Sequence, residues 1–280
     1  MYKLIGKTAR LFGEFKGKKR ITRALLAPFA TTARDIEIKG HFGCTYLLPN
    51  IQESVAFELF VNGIYERETH EFLLDSLPKK GIFFDIGANI GSVAIPLCRQ
   101  RPDIRCICVE ASSWVYRYLV ENISKNELST MITGINKAVS DKNGDIVSFY
   151  SDEKVFGKGS MSPVFSNKDT KVETITIDHL VDRFDFSRVD VIKIDIEGFE
   201  FFAFKGGGKL LEGNNAPMIL FEFVDWAERH AGIAPGEAQR FLITKGYMLY
   251  QLLLDGSLQI QESILENGTA MFIASKKKLL

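Results

Sequence analysis

Apolar and polar positions divide the first part of this chain into three stretches. Over residues 1 to about 34, Leu4, Ile5, Leu11, Phe12 and Phe15 recur at roughly helical spacing among basic side chains. Residues 35–50 alternate instead. Ile36, Ile38, Phe42 and Tyr46 stand between polar positions, with Gly40 and Gly43 as punctuation, and this predicts a short β-hairpin. Residues 53–77 return to helical spacing, broken around Asn62-Gly63 and ended by Pro78-Lys79-Lys80-Gly81.

From residue 82 the rhythm becomes strand, glycine turn, helix, strand. Ile82–Asp85, Ile104–Glu110, Met131–Ile135, Val189–Ile196 and Met218–Phe223 read as apolar strands, with helical stretches at 90–100 and 113–125. Strands apolar on both faces that alternate with helices belong to a parallel sheet covered on both sides. Pro96 removes one hydrogen bond from the first of those helices and is expected to kink it. Asp145–Tyr150 and Lys171–Ile177 alternate like antiparallel strands around a flexible Gly157–Pro163 stretch. Tyr247–Leu254 and Thr269–Ala274 read as two more strands, with Asp255-Gly256 as a turn signal. The expected fold is α/β, a Rossmann-like, mostly parallel sheet with an antiparallel strand near the C-terminus. An N-terminal helical and hairpin extension covers 1–78 and the main domain 79–280, with a β-hairpin insertion at about 145–177.

Composition narrows the class. The chain has 280 residues, 46% hydrophobic and 25% charged, as in an ordinary globular protein. Its 35 Lys and Arg balance its 35 Asp and Glu, which argues against a dedicated nucleic-acid binder. The balance is not local. Lys3, Lys7, Arg10, Lys16, Lys18, Lys19, Arg20 and Arg23 face one acid, Glu14. That segment reads either as a terminal helix packed on the domain, or as a basic amphipathic helix that meets anionic lipid or an acidic partner. Cys44, Cys98, Cys106 and Cys108 form no Cys-x-x-Cys pair and read as small buried apolar residues in a reducing compartment. There is no signal-peptide pattern and no apolar run near the ~20 residues a bilayer span needs, so a cytoplasmic location is expected.

Candidate chemistry gathers at two places. The first strand runs into Asp85-Ile86-Gly87-Ala88-Asn89-Ile90-Gly91. Gly87 permits a tight turn, Gly91 a close helix–strand approach, and free helix-terminal N–H groups would face the ligand. The Asp-x-Gly-x-Asn-x-Gly pattern lacks the second glycine that lets a backbone meet a pyrophosphate. Asp85 would repel a diphosphate but suits a cationic sulfonium bearing an ammonium group, so S-adenosylmethionine is favoured over NAD. Glu110 ends the second strand, where an acid accepts ribose hydroxyls. Ala138 and Val139 are placed beside the adenine.

The second place is Val191-Ile-Lys-Ile-Asp-Ile-Glu-Gly-Phe-Glu200. Lys193 in an apolar strand needs an anionic partner, which Asp195, Glu197 or Glu222 could supply. Asp195 and Glu197 sit at the carboxyl end of their strand, and Glu222 on the next one. Three such carboxylates can act as a general base, as metal ligands or as a clamp on an ammonium group. Base catalysis ranks above a metal site because no asparagine or histidine completes a ligand set. His41, His70, His179 and His230 show no metal spacing.

Taken together, Gly63-Ile-Tyr-Glu66, Phe84–Gly91, Val109-Glu110, Ala138–Asp141, Thr176-Ile-Asp178, Lys193–Glu200 and Glu222 resemble the FkbM family of methyltransferases over roughly residues 60–225. The resemblance implies a class I methyltransferase that moves a methyl group to a hydroxyl of a glycan or other small metabolite. It implies donor contacts at Asp85, Gly87, Asn89, Gly91 and Glu110, with Asp195 near the methionine end and Glu66 lining the same pocket. By the same analogy the Gly157–Pro163 loop covers that pocket. The donor set is therefore Glu66, Asp85, Gly87, Ala88, Asn89, Gly91, Glu110, Ala138, Val139 and Asp195, and the candidate bases are Asp195, Glu197 and Glu222. The rival readings are an NAD-dependent oxidoreductase and a non-catalytic methyltransferase-like scaffold.

Overall fold

The computed structural model describes every residue except 13, 14, 16, 30, 31 and 214. Glu14 and Lys16 of the basic segment therefore lie outside the described residues. The chain opens with helices α1 (Tyr2–Leu11) and α2 (Lys18–Leu26), the hairpin β1 (Arg34–Lys39) and β2 (Thr45–Asn50), and helices α3 (Ser54–Asn62) and α4 (Arg67–Ser76). The break between the last two falls at Asn62-Gly63, as the pattern predicts, with Gly63 left-handed at φ 77°.

The alternating part follows as β3 (Ile82–Ile86), α5 (Ala94–Gln100), β4 (Arg105–Val109), α6 (Ser113–Lys125), β5 (Ile132–Ile135) and the short β6 (Ala138–Val139). The insertion is β7 (Ile146–Tyr150) and β8 (Asp169–Ile175), followed by α7 (Ile177–Arg183). Then come β9 (Val191–Ile194), α8 (Glu200–Lys205), α9 (Gly208–Glu212), β10 (Met218–Val224), α10 (Asp225–His230) and α11 (Glu237–Thr244). The chain closes with β11 (Met248–Leu252), β12 (Leu258–Ile260) and β13 (Thr269–Ser275).

The central sheet has the order β12-β11-β13-β10-β9-β3-β4-β5. Strands β10, β9, β3, β4 and β5 are parallel, while β13, β11 and β12 run antiparallel at one edge. One face packs Phe83, Cys106, Val191 and Leu220 against the hairpin and α3–α6. The other packs Phe84, Ile107, Ile192 and Phe221 against Leu180, Phe204 and Leu242. Burial on both sides is why these strands read as continuous apolar runs.

Two expectations about the first helix need correcting, its start and its kink, while the Asp255-Gly256 turn forms where the sequence marks it. The helix expected from residue 90 begins at Ala94, so Pro96 falls in its first turn, where an N–H has no helical partner, and the expected kink has no cause. The Asp255-Gly256 turn pairs β11 with β12, and β13 enters between β11 and β10. All four cysteines are buried as expected.

Candidate active site

Strand β3 lies between β4 and β9, so the chain leaves it in both directions across the sheet. Open α/β sheets bind ligands at such a switch point, outside the carboxyl ends of the strands. There the loops after β3, β4, β9 and β10 enclose a cleft of ≈ 340 Å³, which Glu66, Asp85, Glu110, Lys193, Asp195, Glu197 and Glu222 help to line.

Register explains the charge cluster. Asp85 on β3 pairs with Lys193 on β9, and Lys193 pairs with Leu220 on β10. Two-residue alternation puts Asp85, Lys193, Asp195 and Glu222 on one side of the sheet. Lys193 Nζ donates to Asp195 Oδ2 at 3.1 Å, so Asp195 is the partner the buried lysine requires. Burial opposes the ammonium charge, but Asp195, Glu66 and Asp85 around it raise its pKa. Glu66 is itself pushed up by burial, which Lys193 opposes, and its Oε2 is buried without a hydrogen-bond partner among the described residues.

Beneath the loop, both Asp85 carboxylate oxygens are buried and unpartnered among the described residues. Burial pushes this carboxyl up to about 6, with Lys193 opposing. The loop uses its N–H groups internally. Gly87 and Ala88 both donate to the Val109 carbonyl, at 2.9 and 3.0 Å. Asn89 donates to Glu110 Oε2 at 3.0 Å, and Ile90 to the Asn89 side chain at 2.8 Å. The N–H groups of residues 87–91 are thus used within the loop. The loop offers carboxylates and shape rather than N–H donors. A Cβ on Gly87 would lie 1.9 Å from the Asp195 carbonyl oxygen, and φ there is +82°, so only glycine fits this contact.

Glu110 is 8% exposed, and each of its oxygens accepts one backbone N–H, from Asn89 and from Ser112. A carboxylate oxygen has two acceptor sites, so one on each remains for a pair of vicinal hydroxyls. Burial pushes Glu110 up to about 7 against those two hydrogen bonds. Val139 also lines the cleft. Gly91 and Ala138 do not: Gly91 packs beneath the loop against Ile95 and Leu119, and Ala138 sits in a small core with Phe149 and Val172.

At the far end, burial and Asp195 push Glu197 up to about 7. Burial, Asp195 and Glu197 push Glu222 up to about 9. Glu200 is buried and folds back to accept the Ile196 N–H at 2.9 Å, a structural role in the turn. Gly157, Lys158 and Gly159 of the insertion line the cleft. Ser160 Oγ donates to the Glu197 carbonyl at 3.4 Å, and Ser162 Oγ to that of His230 at 2.8 Å. Trp226 on α10 and Thr269 complete this end. The Gly157–Pro163 loop reaches the cleft as the resemblance implies, although Lys158 was not singled out within it, and sequence reasoning missed Trp226 and Thr269. The one available signal was Trp226, an aromatic just past the carboxyl end of the strand bearing Glu222.

A family model described as the methyltransferase FkbM domain matches residues 85–247. The chain belongs to the FkbM methyltransferase family. This FkbM protein is 26% identical over 183 residues to the hexuronic acid methyltransferase AglP of Haloferax volcanii, a match covering 63% of this chain and 67% of the relative. Among solved structures it is similar to the precorrin-6y C5,15-methyltransferase of Geobacter metallireducens, with TM-score 0.44 and 14% identity over 75% of this chain and 88% of that one. It is also similar to the METTL16 methyltransferase domain, with TM-score 0.47 and 12% identity over 93% of this chain and 79% of that one.

The protein is an S-adenosylmethionine-dependent methyltransferase with a class I Rossmann-like sheet. The oxidoreductase and scaffold readings are not favoured. The cleft fits this donor on its own terms. Unpartnered buried carboxylates suit a cation, Glu110 keeps acceptor sites for a ribose, and the N–H groups of residues 87–91 are already used within the loop and cannot hold a diphosphate. Among the described residues, no helix is long and apolar enough to cross a membrane.

Proposed function

We propose that this FkbM methyltransferase methylates a hydroxyl oxygen of a glycan or small-metabolite acceptor, with Glu197 taking the hydroxyl proton. The observation that supports this is the meeting of Asp195, Glu197 and Glu222 in the cleft wall at the carboxyl ends of β9 and β10, on the other side of β3 from Glu110. When bound, S-adenosylmethionine supplies a methyl group on a sulfonium, which leaves with the carbon–sulfur electron pair as the carbon–oxygen bond forms.

The chain's residues divide the remaining work. Glu110 and Val139 would hold the nucleoside end, and Asp85, Glu66 and Asp195 the cationic end. Lys193 keeps Asp195 oriented. Glu197, raised to about 7, can take a proton near neutral pH and is not tied to Lys193. Much of the acceleration would come from holding the two substrates in register.

Trp226, Thr269 and Lys158 form the acceptor end. Trp226 offers an aromatic surface to a sugar ring, and Lys158 is a cation beside a carboxylate-rich wall. The name of the Haloferax relative, a hexuronic acid methyltransferase, favours an acidic sugar. Release of S-adenosylhomocysteine should be measured with methyl glucuronoside and methyl glucoside as acceptors. Turnover with the glucuronoside, with KM raised several-fold by Lys158→Gln for that acceptor only, is the expected result. Donor binding without turnover on either sugar or any hydroxylated acceptor would defeat the reading.

A further inference from the structure

We propose that the outward faces of α1 and α2, with Phe12 and Phe15, form a docking surface for an anionic lipid membrane. Each helix has a clear inner side. Tyr2, Ile5 and Ala9 of α1 pack on the core, and Gly6 lies so close to α3 that a Cβ there would meet the Phe60 ring at 2.3 Å. Arg10 donates to the Phe60 carbonyl. In α2 the buried positions are Lys18, Thr22 and Leu26, four residues apart, and Arg23 lies 4.2 Å over the Phe57 ring. Both helices are therefore fixed to α3, and their outer side chains are held in place rather than left on a loose tail.

Those outer side chains are of two kinds. Leu4, Leu11, Phe12, Phe15, Ile21 and Leu25 are between 51% and 79% exposed. Lys3, Lys7 and Arg20 stand exposed among them, and Lys19, also exposed, pairs with Glu58 at 2.9 Å. Large exposed apolar groups gathered within 25 residues mark an interaction surface rather than scattered exposure. The charge decides among partners. Residues 1–33 carry eight Lys and Arg against one acid, while the whole chain is balanced at 35 to 35, so the rest of the protein is net acidic. An anionic bilayer would attract this face and repel the others, which fixes one orientation. A nucleic acid would use the lysines but leave the leucines and phenylalanines in water. A membrane interface takes both, with apolar groups at the headgroup–acyl boundary and lysines among the phosphates. The α3 helix beneath this face lends Ser54 and Val55 to the cleft wall, so the docked surface would lie one helix away from the active site.

The test uses the full chain and sedimentation with sucrose-loaded vesicles. Phosphatidylcholine vesicles containing about one third phosphatidylglycerol should carry the protein down at low salt, and phosphatidylcholine alone should not. Raising salt to about 0.5 M should release most of it. The paired change Leu4→Ser with Leu11→Ser, and separately Lys3→Glu with Lys7→Glu, should each weaken partition about tenfold or more. Calorimetric affinity for S-adenosylmethionine should be unchanged in both variants, which shows that they remain folded. The charge pair tests the idea alone if the serine pair fails to fold. No partition on anionic vesicles would overturn the proposal, as would equal partition on both vesicle types. So would a concentration-dependent dimer, lost in the serine variant, in a protein that ignores vesicles. None of these outcomes depends on which acceptor the enzyme methylates.

Discussion

At the scale of single residues, the site is a set of acids whose surroundings push them apart in character. Asp195 is bound to Lys193, whereas Glu197 has no cation in hydrogen-bond contact and is raised to about 7 by burial. Glu197→Gln keeps the shape and removes the proton acceptor. It should lower kcat by roughly 10²–10⁴-fold, the range general-base removal produces, with the calorimetric Kd for S-adenosylmethionine within a few-fold of the parent. A loss in donor affinity that accounts for the whole fall in rate would move Glu197 to the donor clamp. Asp85, Glu110 and Lys193 were legible in the sequence because each is a charged residue within or at the end of an apolar run. Lys158 and Trp226 were not, since one sits on an irregular loop and the other opens a short helix, and neither position has a period that could mark it. Glu66 could be placed only by resemblance. Its side chain joins the cluster because the backbone before α4 turns through a left-handed φ of 44°.

At the scale of elements, the parallel strands were readable and the joints between layers were not. Strands β3, β4, β5, β9 and β10 lie within a few residues of their expected places, because burial on both faces leaves an unbroken apolar run. The order at the antiparallel edge was hidden, because β13 returns to pair with β10 across a long stretch of chain and nothing local encodes that return. A second hidden joint links the hairpin to the donor loop. Asn122 on α6 is fully buried, its Oδ1 accepts the Leu47 N–H at 2.6 Å, and its Nδ2 donates to Ile90 O at 3.0 Å. Asn126, one turn on, accepts the Thr45 N–H at 2.8 Å and donates to Thr45 O at 2.7 Å. These two amides satisfy the open edge of β2, which a sheet neighbour would otherwise cover. Asn122→Ala leaves the half-buried Leu47 N–H and the buried Ile90 carbonyl without partners. At ~1–3 kcal/mol for the buried carbonyl and less for the half-buried N–H, it should cost about 2–4 kcal/mol in urea unfolding. Because Ile90 belongs to the donor loop, the same variant should also bind S-adenosylmethionine more weakly. Unchanged affinity at reduced stability would show that the loop holds its shape without this amide.

At the scale of the whole molecule, the buried acids make stability depend on pH in a direction opposite to that of most proteins. Burial raises Asp85 to about 6, Glu110 and Glu197 to about 7, Glu200 to about 8 and Glu222 to about 9. Their unfolded values lie near 4, so above that pH the folded state binds more protons than the unfolded chain. Stability then falls as pH rises, beginning above pH 4 and continuing through the folded values between 6 and 9. Lys193 stays protonated throughout that window because its pKa is raised, so it adds no opposing slope. The donor-free protein should therefore melt at a lower temperature at pH 8.5 than at pH 5.5, by at least the ~2 °C that about 1 kcal/mol represents in a chain of this size. A bound sulfonium with its ammonium group favours the ionised carboxylates. Saturating S-adenosylmethionine should flatten the slope, and by linkage its affinity should rise between pH 6 and pH 8. Glu222→Gln removes the group with the highest value and should raise the melting temperature at pH 8.5 more than at pH 5.5. A donor-free melting temperature that holds level or climbs from pH 5.5 to pH 8.5 would mean these carboxylates share their charge with solvent or with one another more effectively than their burial implies. The cleft would then be open enough in solution for its acids to titrate as surface groups do, and selectivity for a cation would have to come from Asp195 and its lysine alone.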